Sequence, residues 1–115
     1  MRVIVTGGRD YSDGRTMRTV MAALCPDWVT VVHGGARGAD EHCEHFATER
    51  GLTTEVHYAA WNLHGKAAGP IRNQAMLDAG ADVVIAFPGG AGTADMVGRA
   101  RSAGVPVLHV DGGGA

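Results

Sequence analysis

Cysteine is scarce in this chain, and long apolar runs are missing from it. The 115 residues include two cysteines, Cys25 and Cys43, and they form no CxxC pair. Both fall in segments that read as helical, as buried or half-buried thiols of a reducing compartment. No apolar stretch approaches the roughly 20 residues of a membrane span. The run that follows Arg2 stops at Thr6-Gly7-Gly8, too short for the core of a signal peptide. A cytoplasmic protein without an anchor is expected. Blocks of like charge are also missing. Ten Lys and Arg stand against twelve Asp and Glu, a formal net charge of -2, without the basic stripe of a dedicated nucleic-acid binder. A local patch around Arg9, Arg15 and Arg18 is the exception. Charged residues make up 19%, too few for a self-repelling disordered chain. There is no nucleophile elbow and no Ser-His-Asp order, so acyl transfer is not expected.

Glycine is abundant, at 18 residues, and its placement organises the chain. Three glycine clusters directly follow apolar runs. Val3-Ile4-Val5 leads into Thr6-Gly7-Gly8-Arg9-Asp10. Val29-Thr30-Val31-Val32-His33 leads into Gly34-Gly35-Ala36-Arg37-Gly38-Ala39-Asp40. Asp82-Val83-Val84-Ile85-Ala86-Phe87 leads into Pro88-Gly89-Gly90-Ala91-Gly92-Thr93. A short continuous apolar run ended by glycine reads as a strand buried on both faces. Helical patterns fill the spaces between. Ser12 or Asp13 caps a helix carrying Met17, Val20, Met21 and Leu24, which Pro26 closes. Ala39, Cys43, Phe46 and Ala47 share a face of a second helix, ended by Gly51. β-Branched residues favour a strand over 53–57. Tyr58 to Lys66 has no period and reads as a loop. Pro70 suits the first turn of the next helix, with Ile71, Ala75, Met76 and Ala79 as its apolar face. A last helix is predicted over 93–103 and a last strand over 106–110. Residues 111–115 form a glycine-rich tail expected to fray. The alternation of strands and helices predicts one α/β domain over 1–110, a parallel sheet covered on both faces. In such sheets ligands bind beyond the carboxyl ends of the strands. The three clusters are therefore expected to meet in one crevice.

Glycine-rich turns let backbone approach a ligand closely and aim the free N–H groups of a helix start at it. The helix dipole adds attraction for negative charge, so a phosphate is the expected ligand group. Candidate ligand-binding residues are Gly7, Gly8, Arg9 and Asp10 in the first cluster, where Arg9 and Asp10 offer a charge pair. In the second they are Gly34, Gly35, Arg37 and Asp40. Arg37 either reaches a phosphate or faces solvent, and Asp40 either contacts the ligand or simply favours the helix dipole. In the third they are Pro88, Gly89, Gly90, Gly92 and Thr93. No Lys follows the last glycine, so this is neither a Walker motif nor the dinucleotide GxGxxG. Trp61 either stacks on a base or packs over the sheet edge. His42 and His45 lie three apart on a helix, but no third ligand is spaced to join them, and no metal or cofactor is expected.

TGGRD, GGARGAD, GPIRNQAM and FPGGAGT, in this order, resemble the SLOG superfamily, which includes the cytokinin-activating phosphoribohydrolases and the Rossmann-like domain of the DNA-processing protein DprA. Within it the chain is most similar to a short stand-alone family of uncharacterised bacterial and phage proteins. The resemblance runs over about residues 2 to 110. It implies a minimal doubly wound, Rossmann-like parallel sheet of about five strands in the order 3-2-1-4-5, and a homo-oligomer. It also adds Arg72 and Asn73 to the ligand site, at the place of an Arg-Lys pair in the phosphoribohydrolases. The carboxylate pair that follows PGGxGT in those enzymes is matched by Asp95 and then broken by Met96, at the position generally assigned to catalysis. Asp95 and Arg72 are the candidate catalytic residues.

Three functions follow as expectations. The first is a module that senses or sequesters a nucleotide or nucleotide-derived phosphorylated molecule. The second is a phosphoribohydrolase, in which a carboxylate stabilises the oxocarbenium-like state on the ribose. The third is single-strand nucleic-acid binding. The missing second carboxylate favours the first over the second, and the acidic balance weighs against the third.

Overall fold

The structure is a computed structural model and describes residues 1–111. The expected tail falls outside the described residues from 112 on. Five strands form one parallel sheet: β1 (Arg2–Thr6), β2 (Thr30–His33), β3 (Thr53–Val56), β4 (Val83–Ala86) and β5 (Val107–His109). Their order is β3-β2-β1-β4-β5, as expected. Every pairing is parallel; Val3 sits beside Val31 on one side and Val83 on the other.

The crossovers place helices on both faces. Helices α1 (Gly14–Leu24) and α2 (Ala39–Arg50) cover one face, burying Met17, Met21, Cys43 and Phe46 against Val3, Val5, Val31 and Ile85. Helices α4 (Ala68–Asp78) and α5 (Ala91–Ser102) cover the other, burying Met76, Met96 and Ala100 against Ile4, Val32 and Val84. Alternate residues of one strand thus feed two cores, which is why β1 has no polar position in its interior. Each fully buried Met, Val or Ile contributes about 1.5–3 kcal/mol over leaving it exposed. Asp13 caps α1, its side chain accepting from the Thr16 N–H at 3.1 Å. Gly51 closes α2 in the left-handed region, at φ 68°.

The structure corrects three expectations. The segment expected as a loop holds a one-turn helix, α3 (Trp61–His64), followed by a 3₁₀ turn over Gly65–Ala67. All seven residues are exposed, so no buried face imprints a period on the sequence. The predicted apolar face of α4 is rotated. Ile71, Ala75 and Ala79 are exposed, whereas Ala68, Gly69, Asn73, Met76 and Leu77 are buried. A polar residue, Asn73, occupies an inward position because it has partners across the α4–α5 contact, described below. Leu24, placed on the inner face of α1, is exposed at its last turn. Among the described residues no helix is long and apolar enough to cross a membrane.

Candidate functional site

β1 lies between β2 and β4; the connection from β1 to β2 runs over one face of the sheet and that from β3 to β4 over the other, and the crevice this creates opens at the carboxyl ends of β1 and β4. Its volume is about 890 Å³. Of the residues expected at a ligand site, it is lined by Gly7, Gly8, Arg9, Asp10, Gly34, Asp40, Arg72, Asn73, Pro88, Gly89, Gly90, Gly92, Thr93 and Asp95. Gly35 and Arg37 lie outside it and line an adjoining pocket.

The three glycine clusters do different things. Several glycines are there so that the turns can touch one another. The Gly8 N–H donates to the Pro88 carbonyl at 2.8 Å, and the Gly8 carbonyl accepts from the Ala39 N–H at 3.1 Å. A Cβ on Gly38 would collide with the Gly8 carbonyl, and one on Gly89 would collide with the Thr93 hydroxyl. Gly90 and Gly92 differ: a Cβ on either would meet nothing within 4 Å. Packing does not explain these two.

The two glycine-led helix starts also differ. At that of α2 the protein itself takes the first donor, Ala39, while the N–H groups of Asp40 and Glu41 have no partner among the described residues; what the protein fills is the turn ahead of the helix. Gly8 takes the Ala39 N–H, and the buried Asp40 carboxylate accepts from the N–H groups of Gly34 at 3.2 Å and Ala36 at 3.3 Å. Burial raises the Asp40 pKa, opposed by the Ala36 hydrogen bond and by the charge of Arg72. Below the same turn, His33 Nδ1 accepts from the Gly35 N–H at 3.0 Å, which leaves Nε2 to donate to Glu44 at 2.8 Å. The GGARG turn is therefore fixed from inside. The start of α5 is open. Gly90 at the cap offers no side chain, and the N–H groups of Ala91, Gly92 and Thr93 have no partner among the described residues. Three aligned donors at the positive end of a 12-residue helix can accept an anion.

Arg72 reaches the crevice from α4. Its Nη1 donates to the Gly34 carbonyl at 3.0 Å and its Nε to Asn73 Oδ1 at 3.0 Å, so the guanidinium is held on two sides. Burial lowers its pKa, with Asp40 opposing and Arg9 adding to the effect; the group stays charged. A Cβ on Gly34 would occupy the space the guanidinium uses. Asn73 in turn donates to the Gly92 carbonyl at 3.3 Å and to Asp95 at 3.0 Å, tying α4 to the first turn of α5. The same Asp95 oxygen accepts from Arg99 at 2.9 Å. Met96 is fully buried among Ile4, Val32 and Met76 and presents nothing to the crevice.

At the rim the Arg9–Asp10 charge pair is not formed. Arg9 instead lies over the Trp61 ring, 5.4 Å from its centroid, and Asp10 faces Arg37 at 3.9 Å, both of them exposed. Trp61 is thus brought to the site as the first residue of α3. Sequence reasoning missed Tyr58. Its ring rests against Gly35, a contact created by the β2–β3 pairing and invisible in either segment alone.

A family model described as YAcAr, the YspA, cpYpsA-related SLOG family, matches residues 1–64. The Gene 61 protein of Mycobacterium phage D29 is 42% identical to the chain over 118 residues, covering 94% of this chain and 94% of that protein.

Proposed function

Because this chain belongs to the YspA, cpYpsA-related SLOG family, we propose that its crevice binds a nucleotide or a nucleotide-derived phosphorylated molecule, as a sensing or sequestering module. The observation that carries this reading is the start of α5. Its first three N–H groups are unpartnered among the described residues, and Gly90 and Gly92 leave open space in front of them. A phosphate seated there accepts from the backbone and neutralises the helix terminus. Arg72, already oriented by Gly34 and Asn73, supplies the charge-assisted bond. Trp61 offers a base a ring to lie against.

Binding without turnover is the function stated. Asp95 is engaged by Asn73 and Arg99 through one oxygen, and Met96 faces the core. With Met96 in the core, that pair holds one carboxylate where glycosidic cleavage uses two.

Calorimetric titration with nucleoside monophosphates and with inorganic phosphate tests the reading. Saturable binding of a monophosphate, competed by phosphate and weakened at least tenfold in Arg72→Ala, is the expected result. No binding of any of them at millimolar concentration overturns it.

A further inference from the structure

Beyond Arg72 the crevice opens into a second pocket of about 530 Å³. Its long side chains are Arg9, Arg37, Arg72, Tyr58 and Trp61, and no carboxylate among the described residues lines it. A chain with two tyrosines and two tryptophans places one of each here. Tyr58 is 76% exposed. Its ring lies against Gly35, whose φ of +69° and lack of a Cβ are both needed for that contact. The ring is thus supported by backbone and otherwise open to solvent. The Arg37 side chain is 74% exposed, with Asp10, fully exposed, as a distant neighbour at 3.9 Å. Three cations and two aromatic rings, with no carboxylate in the lining, suit an anionic ligand that carries a ring.

This pocket is too far along the sheet to serve the same phosphate unit. From the end of β4, where the α5 turn sits, to the end of β3, where Tyr58 follows, is three interstrand steps, or about 14 Å. One phosphate–ribose–base unit does not cover that distance.

We propose that the second pocket takes the second half of a two-unit ligand, a phosphodiester-linked dinucleotide. The terminal phosphate sits on the α5 turn and the first base against Trp61. The linking phosphate meets Arg37, and the second base stacks on Tyr58. This rests on the phosphate site proposed above and adds the class of ligand.

The test compares AMP with the 5′-phosphorylated dinucleotide pApA in calorimetric titrations. It uses the full chain and its Tyr58→Ala, Tyr58→Phe and Arg37→Ala variants, all at exposed positions. pApA is expected to bind at least tenfold more tightly than AMP, since one stacked base is worth about that much. Tyr58→Ala and Arg37→Ala should remove most of that gain and leave AMP affinity unchanged, while Tyr58→Phe keeps it. AMP binding with pApA no tighter, or Tyr58→Ala weakening both alike, overturns this proposal and leaves the phosphate site standing. A twenty-nucleotide single strand binding far more tightly than pApA, with steep salt dependence, overturns it in favour of a nucleic-acid strand. No binding of either probe removes both readings.

Discussion

Gly92→Ala separates what α5 needs for folding from what the crevice needs for binding. Gly92 lies in the first turn of α5, and a Cβ there meets nothing within 4 Å. Replacing glycine by alanine in a helix gains about 0.5–1 kcal/mol, through backbone entropy and helix propensity. At a first-turn position about 0.5 kcal/mol is expected, which raises the melting temperature by about 2–4 °C in a domain of this size. The Cβ of a helical residue tilts toward the helix N-terminus, here toward the anion site. The added methyl therefore occupies space that a phosphate on the Ala91, Gly92 and Thr93 donors would use. Loss of one charge-assisted hydrogen bond corresponds to a tenfold or greater loss of affinity. A thermal melt and an AMP titration on the same sample read both effects. The variant should be more stable and bind more weakly. A fall in melting temperature, or unchanged affinity together with raised stability, refutes the reasoning.

Asp40→Ala orphans the N–H groups of Gly34 and Ala36 and should cost about 2 kcal/mol or more in denaturant unfolding; Asp40→Asn, which keeps an acceptor oxygen, should retain most of the stability. Arg2 first and His57 second, through hydrogen bonds, hold the Glu55 carboxyl at about 2 rather than its ordinary 4.5. That contribution is complete above about pH 4.5 and is lost as the pH falls toward 2. A Glu55→Gln variant should accordingly show a flatter melting-temperature profile on the acid side; an unchanged slope contradicts the pairing. Asn73→Leu removes the bonds to Gly92 and Asp95 and should loosen the α5 start, seen as faster amide exchange at Ala94 with little change in the sheet.

The sheet was legible because β1, β2 and β4 are buried on both faces and so appear as unbroken apolar runs, each stopped by glycine. The order of the strands came from the resemblance and not from the runs themselves. Helix α2 was legible because, Asp40 apart, its buried residues, Ala39, Cys43, Phe46 and Ala47, are small or apolar and at helical spacing. Helix α4 was misread because two of its inward positions serve a network. Arg72 and Asn73 turn toward Gly34 and Asp95, which rotates Ile71 and Ala75 outward. Hydropathy scores such residues as surface. The glycine clusters marked where the turns meet, yet the sequence does not separate glycines that pack from glycines that open a space. Gly38 and Gly90 look alike as letters; one accommodates the Gly8 carbonyl and the other faces nothing. Nor does the sequence show that Asp40 fills its own turn while the start of α5 stays open. Tyr58 and Gly35 meet through strand pairing, a long-range contact with no local signature.

The central claim is that the open start of α5 receives a phosphate, and the amide resonances of its first turn report on it directly. In a ¹⁵N-labelled sample titrated with AMP, the N–H signals of Ala91, Gly92 and Thr93 should shift downfield and saturate together, as the donors engage an anion. The amides of Gly34 and Ala36, already bonded to Asp40, should move much less. Shifts absent from residues 91–93, or confined to the α2 turn, contradict the account.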